Sequence, residues 1–122
     1  MLESAKMMGF LLTTDYEKAK AFFVGKLGFR FISLDQFAIV VDCGQNLIRI
    51  SEVEKFSPLQ GTVLGWQVSD IHAVVESLKQ NGVTPEKYPF MKDSYIWSAP
   101  GGAKIAWFKD PDGNVLSVSQ HP

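Results

Sequence analysis

At 122 residues, with 46% hydrophobic and 20% charged side chains, the chain has the composition of a globular domain, long enough to bury roughly two thirds of its unfolded surface. A net charge of -1, with Lys and Arg scattered, gives no electrostatic footprint for nucleic acid or an anionic membrane. Cys43 is the single cysteine, which excludes an intrachain disulfide and fits a reducing, cytoplasmic setting.

The apolar run Met7 to Thr13 reads as a strand; it is too short to span a bilayer, and no small-residue cleavage site follows it. Thr14-Asp15-Tyr16-Glu17 then fits a capping box, with Thr14 opening a helix. Tyr16, Ala19, Phe22, Phe23 and Leu27 share one face of that helix, and Gly28 ends it. Phe29 to Ser33 and Phe37 to Val41 read as a hairpin around Leu34-Asp35-Gln36, and a second turn from Asp42 to Asn46 leads into a strand from Leu47 to Ser51. The stretch Glu52 to Gln60, carrying Pro58, reads as a linker.

The same order then returns. A strand from Thr62 to Val68 leads to Ser69 or Asp70 as helix cap, and Ile71, Val74, Val75 and Leu78 follow at helical spacing until Asn81-Gly82. Gly9 to Asp15 is matched by Gly65 to Asp70, and Leu27-Gly28-Phe29 by Asn81-Gly82-Val83. Internal similarity at half the chain length predicts a duplicated unit, with repeats at about 7–52 and 62–120 inside a single domain spanning 1–122. Asn46 and Asn114 stand farther apart than Asp15 and Asp70, so the second copy carries extra residues, placed between Pro85 and Gly102. Strands around Tyr95 to Ser98 and Lys104 to Phe108 follow, and Asp110-Pro111-Asp112-Gly113 is a hairpin turn before the last strand.

This order of elements resembles the vicinal oxygen chelate superfamily, the group of glyoxalase I, extradiol dioxygenases, and the fosfomycin- and bleomycin-resistance proteins. The resemblance runs from Met7 to Ser119. It is carried by Thr14-Asp15, Ala21-Phe22-Phe23, Leu27-Gly28-Phe29 and Phe108-Lys109-Asp110-Pro111-Asp112-Gly113-Asn114. It implies an α+β fold of two tandem βαβββ modules whose mixed sheet curls into an open cup with the helices outside. Enzymes of the superfamily hold a divalent metal in that cup with His, Glu or Gln from the first and last strand of each module. Counting from the matching motifs puts Met8, Arg49, Leu64 and Ser117 at those positions. Met8 is a soft donor, Leu64 has none and Arg49 is a permanent cation, so no metal and no cofactor is expected. A one-residue slip to Met7, Ile48, Ile50, Gly65, Leu116 or Val118 does not improve the set.

Arg49 alternates with Ile48 and Ile50 and is expected to face the cup, where it either receives an anionic group or pairs with an acidic side chain near the rim. Trp66 shares the face of Leu64, Phe10 that of Met8, and Trp97 and Trp107 are expected to join them. These aromatics either line a ligand cup or fill a core or dimer interface. His72 reads as solvated and His121 as part of the tail. Cys43, Asp110 and Asp112 carry no sign of catalysis. The favoured expectation is a metal-free binding protein for a small anionic, aromatic molecule. The resemblance to the bleomycin-resistance branch implies a homodimer, and the charge and the lone cysteine lead to the expectation of a cytoplasmic protein that engages neither nucleic acid nor membrane. The alternatives are a metal-dependent lyase, isomerase or dioxygenase using Glu52, Glu54 or His72, and a non-catalytic interaction module.

Overall fold

The computed structural model describes residues 1–92 and 94–122. Two compact units divide the chain, Met1–Ser57 and Pro58–Pro122. The first contains β1 (Met8–Thr13), α1 (Tyr16–Lys20), β2 (Arg30–Leu34), β3 (Ile39–Asp42) and β4 (Leu47–Glu52). The second contains β5 (Thr62–Gln67), α2 (Ile71–Gln80), β6 (Trp97–Ser98), β7 (Lys104–Lys109) and β8 (Val115–Gln120). Each unit forms an open four-stranded mixed sheet, in the orders β1-β4-β3-β2 and β5-β8-β7-β6. This is the α+β architecture of paired βαβββ units that the sequence predicts.

In the first unit the helix begins one residue later than the capping box suggests. Asp15, in extended conformation, is the N-cap, and its carboxylate accepts from the N–H groups of Glu17 and Lys18 at 2.9 and 3.3 Å. A carboxylate there also favours the positive end of the helix dipole. From Ala21 to Lys26 the backbone widens into a π-helical stretch, with the Leu27 N–H donating to Phe22 O at 2.9 Å. That widening keeps Phe22 and Phe23 buried together, their rings edge to face at 5.0 Å. They cover the face of the sheet that carries Leu11, Ile39, Val41, Ile48 and Ile50, all buried.

The second unit ends its helix more regularly. Gly82 adopts a φ of 83°, the Gly82 N–H donates to Lys79 O at 3.1 Å, and the Val83 N–H donates to Leu78 O at 2.8 Å. Both bonds belong to a Schellman cap, and Leu78 and Val83 are buried, as such a cap favours. Ile71, Val75 and Leu78 cover Ala106, Phe108, Leu116 and Val118. The closing turn is held by Asp110, whose carboxylate accepts from Asp112 N, Asn114 N and Asn114 Nδ2 at 2.8–2.9 Å. Burial nevertheless pushes the Asp110 carboxyl above its ordinary range, and these hydrogen bonds act against the shift.

One feature recurs in both units without a sequence signature. The last residue of the fourth strand caps the helix of its own unit. Glu52 accepts from the Tyr16 N–H at 3.0 Å, and Gln120 accepts from the Ile71 N–H at 2.9 Å. Each bond satisfies a helix donor that has no partner inside its helix, and each ties the parallel strand pair to the helix start. Among the described residues no helix is long and apolar enough to cross a membrane.

Candidate functional site

Strand alternation gives each sheet a second face, opposite its helix. In the first unit this face carries Met8, Phe10 and Leu12 of β1, with Phe10 beside Arg49 and Arg49 beside Val40. Ile48 and Ile50 point to the helix side, so Arg49 projects away from it. The face is apolar and open: Met8, Phe10 and Leu12 are 43%, 68% and 41% exposed. Met8 also borders a cavity of about 260 Å³ with Lys6, Asp42 and Leu47. Among the described residues the Arg49 side chain has no ion pair and no hydrogen bond. Its charge is felt by the Asp35 carboxyl, which is held below the usual carboxylate range by the N–H groups of Phe37 and Ala38 and, to a smaller degree, by Arg49.

In the second unit the corresponding face carries Gly65 beside Ser117, Ser117 beside Trp107, and Ile105 beside Trp97. The expectation for Leu64 and Trp66 is corrected here. Leu64 lies beside Leu116 and Trp66 beside Val118, on the helix-covered face rather than with Ser117. Gly65 stands five residues before the cap Asp70, as Phe10 stands five before Asp15, so Leu64 and Trp66 fall on the alternate positions; the bulge between Thr62 and Leu64 affects only the start of the strand. Gly65 is therefore the strand position equivalent to Phe10. A Cβ there would lie 2.6 Å from Ser117 Oγ, so the hydroxyl and a side chain at residue 65 compete for one place.

The same face gathers four aromatic rings. Trp107 meets Tyr88, Phe90 and Trp97 at centroid distances of 5.7, 5.9 and 6.1 Å, and Phe90 meets Tyr88 and Trp97 at 5.9 and 5.4 Å. The Trp107 indole N–H donates to Thr62 Oγ1 at 3.1 Å, which fixes the ring against β5. A cavity of about 300 Å³ opens beside the cluster, bordered by Gln60, Thr62, Tyr88, Phe90, Trp107 and Val115. Tyr88 and Phe90 escape the sequence reading because they sit in the extra segment of the second copy, where no strand or helix period places them. The aromatic density of that segment was the available signal.

The side chains at the positions to which the resemblance points do not fit a divalent cation. Arg49 repels one, Leu64 offers no donor, Ser117 offers one neutral hydroxyl and Met8 a soft sulfur, and Gly65, beside Ser117, adds none. Among the described residues no three His, Cys, Asp or Glu side chains converge. The alternative ligands are separately engaged or exposed: Glu52 caps α1, Glu54 is exposed, and His72 borders an outer groove with Glu76 and Lys79. His121 Nε2 lies 3.0 Å from Ser119 Oγ. No carboxylate orients that imidazole among the described residues, so the pair lacks the third member of a nucleophile–base array.

Similarity to known proteins agrees with this architecture. None of the curated proteins matches the chain's sequence. Among solved structures, a glyoxalase/bleomycin resistance protein/dioxygenase superfamily member from Sphaerobacter thermophilus DSM 20745 superposes with a TM-score of 0.77 at 23% identity, covering 99% of this chain and 100% of that one. A bleomycin-binding protein complexed with bleomycin gives a TM-score of 0.76 at 18% identity, covering 98% of this chain and 100% of the other. TnmS3, an antibiotic-binding protein from Streptomyces sp. CB03234, gives 0.72 at 24% identity, with 100% and 99% covered. These likenesses establish the fold. Residues 7–118 match the Glyoxalase/Bleomycin resistance protein/Dioxygenase superfamily, and the chain belongs to that family.

Proposed function

We propose that this chain is a metal-free binding protein for a small anionic, aromatic molecule, working in the cytoplasm as a homodimer of single-domain subunits. The observation that carries the reading is Arg49. It stands on an open apolar sheet face beside Phe10, its side chain without an ion pair or hydrogen bond among the described residues. A guanidinium in that setting offers a planar fork of donors to a carboxylate or phosphate, and the apolar neighbours offer area to the rest of the ligand. Met8 and Phe10, on the same face as Arg49, supply its apolar contacts, whereas Trp97, Trp107 and Ser117 stand on the helix-free face of the second unit and are not counted in the Arg49 site. Leu64 and Trp66, half-buried on the helix side of β5, are left out of it.

Two further observations favour the same reading. The donor chemistry at the family's metal positions suits an anion rather than a cation. The neighbours of known ligand hold bleomycin in one case and an antibiotic in the other, by their own descriptions. The exposed Met8, Phe10 and Leu12 on edge strand β1 support a partner copy that covers them.

The test is calorimetric titration of the full chain with naphthoate, wild type against Arg49→Ala, together with metal analysis of the purified protein. A saturable heat that weakens tenfold or more in the variant is expected, the size of a lost charge-assisted hydrogen bond. Equal binding by both proteins would remove Arg49 from the site. Stoichiometric zinc, nickel, manganese or iron would overturn the metal-free reading.

A further inference from the structure

The segment that lengthens the second copy does more than connect strands. It returns Tyr88, Phe90 and Trp97 to Trp107, and the cavity of about 300 Å³ lies against three of those four rings. Its size is at the lower end of small-molecule sites. Tyr88 and Phe90 lie nearly parallel, with an interplanar angle of 15°, while Trp107 stands at 77° and 90° to them. Rings set at right angles offer both a face and an edge to a guest ring, the two complementary sides of an aromatic quadrupole.

The border of the cavity carries no charged side chain. An ionised ligand group would find no counter-ion there, so the cavity gives no charge-assisted contact and favours a neutral ligand. It is not purely apolar, however. Gln60 and Tyr88 border it, and neither side chain has a hydrogen-bond partner among the described residues. An amide presents a donor and an acceptor side by side, which matches the edge of a lactam or an amide-like heterocycle. Phe90 is 55% exposed although it belongs to the cluster, so its ring has area left to cover.

We propose that this cavity binds a neutral planar heteroaromatic ring, stacked against Phe90 and Trp107 and read at its edge by Gln60 and Tyr88. Every residue involved belongs to the second unit, so the inference does not rest on the Arg49 reading. The test is a titration of the isotope-labelled full chain with carbostyril, a neutral bicyclic lactam, followed at the Trp107 indole N–H resonance. A saturable shift is expected, about tenfold weaker in Phe90→Ala and in Gln60→Ala, from loss of stacking and of the paired edge. Phe90 and Gln60 are both exposed, so their removal leaves the buried core in place. Arg49→Ala is expected to bind carbostyril within about twofold of wild type, whatever it does to naphthoate. Absence of a saturable shift, or unchanged affinity in both the Phe90 and Gln60 variants, overturns the proposal; dependence on Arg49 overturns its independence.

Discussion

The two units share one topology and present different chemistry on their helix-free faces. In the first, the face is left open: Phe10 is 68% exposed beside Arg49. In the second, the equivalent pair is Gly65 and Ser117, and a four-ring aromatic cluster stands alongside. The helix-covered faces, by contrast, are alike, both built from buried Ile, Val, Leu and Phe. The difference teaches that the duplication is held by the packed face and the helix caps, while the open face is free to diverge. Fold and binding chemistry thus occupy opposite sides of the same strands.

Emptying each packed face in turn tests whether both units close a core of their own. Phe23 and Phe108 are 1% and 2% exposed, one on each side of the repeat. Phe23→Ala and Phe108→Ala should each cost about 3–5 kcal/mol in urea unfolding, the range for a buried phenylalanine that leaves a cavity. Loss of less than about 1 kcal/mol at either position would mean that its unit does not close a core of its own.

The packed faces were legible because burial imposes a period. Ile71, Val75 and Leu78 announce their helix, and the Ile48–Arg49–Ile50 alternation gives the facing of β4 without ambiguity. The helix starts were nearly legible, with Asp15 taking the role that the capping box gives to Thr14. The facing of β5 was not. Matching Gly9 to Gly65 misplaces the second copy by one residue, because the true counterpart of Gly65 is Phe10, and Leu64 and Trp66 then fall, half-buried, on the helix side. The contribution of Tyr88 and Phe90 was hidden for a different reason. A loop returns its side chains through tertiary contact, and no local pattern records where they land. Glu52 and Gln120 as helix caps are equally silent, because each donor–acceptor pair is far apart in sequence.

A smaller effect tests where the units should behave alike. Gly28 and Gly82 end the two helices at φ values of 80° and 83°. The first helix reaches its end through a π-helical stretch and the second through a regular cap, yet the backbone demand at the glycine is the same. A Cβ at Gly28 would meet nothing within 4 Å, so the penalty there is conformational rather than steric crowding by neighbours. Gly28→Ala and Gly82→Ala should each lose about 1–2 kcal/mol, read as a shift in urea midpoint at constant slope. Unequal losses would show that the π stretch relieves or adds strain at its terminus.

The smallest expected effect lies on the divergent face. Ser117 Oγ occupies the space that a Cβ at residue 65 would need, at 2.6 Å, and the next atoms are at 3.6 and 4.0 Å. Only the hydroxyl therefore has to move when Gly65 becomes Ala. Turning it out of its position costs about 1 kcal/mol, the scale of a displaced rotamer. Gly65→Ala should fall by that amount in urea unfolding, and Gly65→Ala combined with Ser117→Gly should match Ser117→Gly alone, since the clash has then lost its second partner. A double variant that still carries the full Gly65→Ala penalty would place the conflict in the backbone of the β5–β8 pair. Phe10 fills the equivalent place beside Arg49 without such a conflict, so recovery in the double variant would mean that one hydroxyl, rather than the strand geometry, keeps a side chain out of the second face.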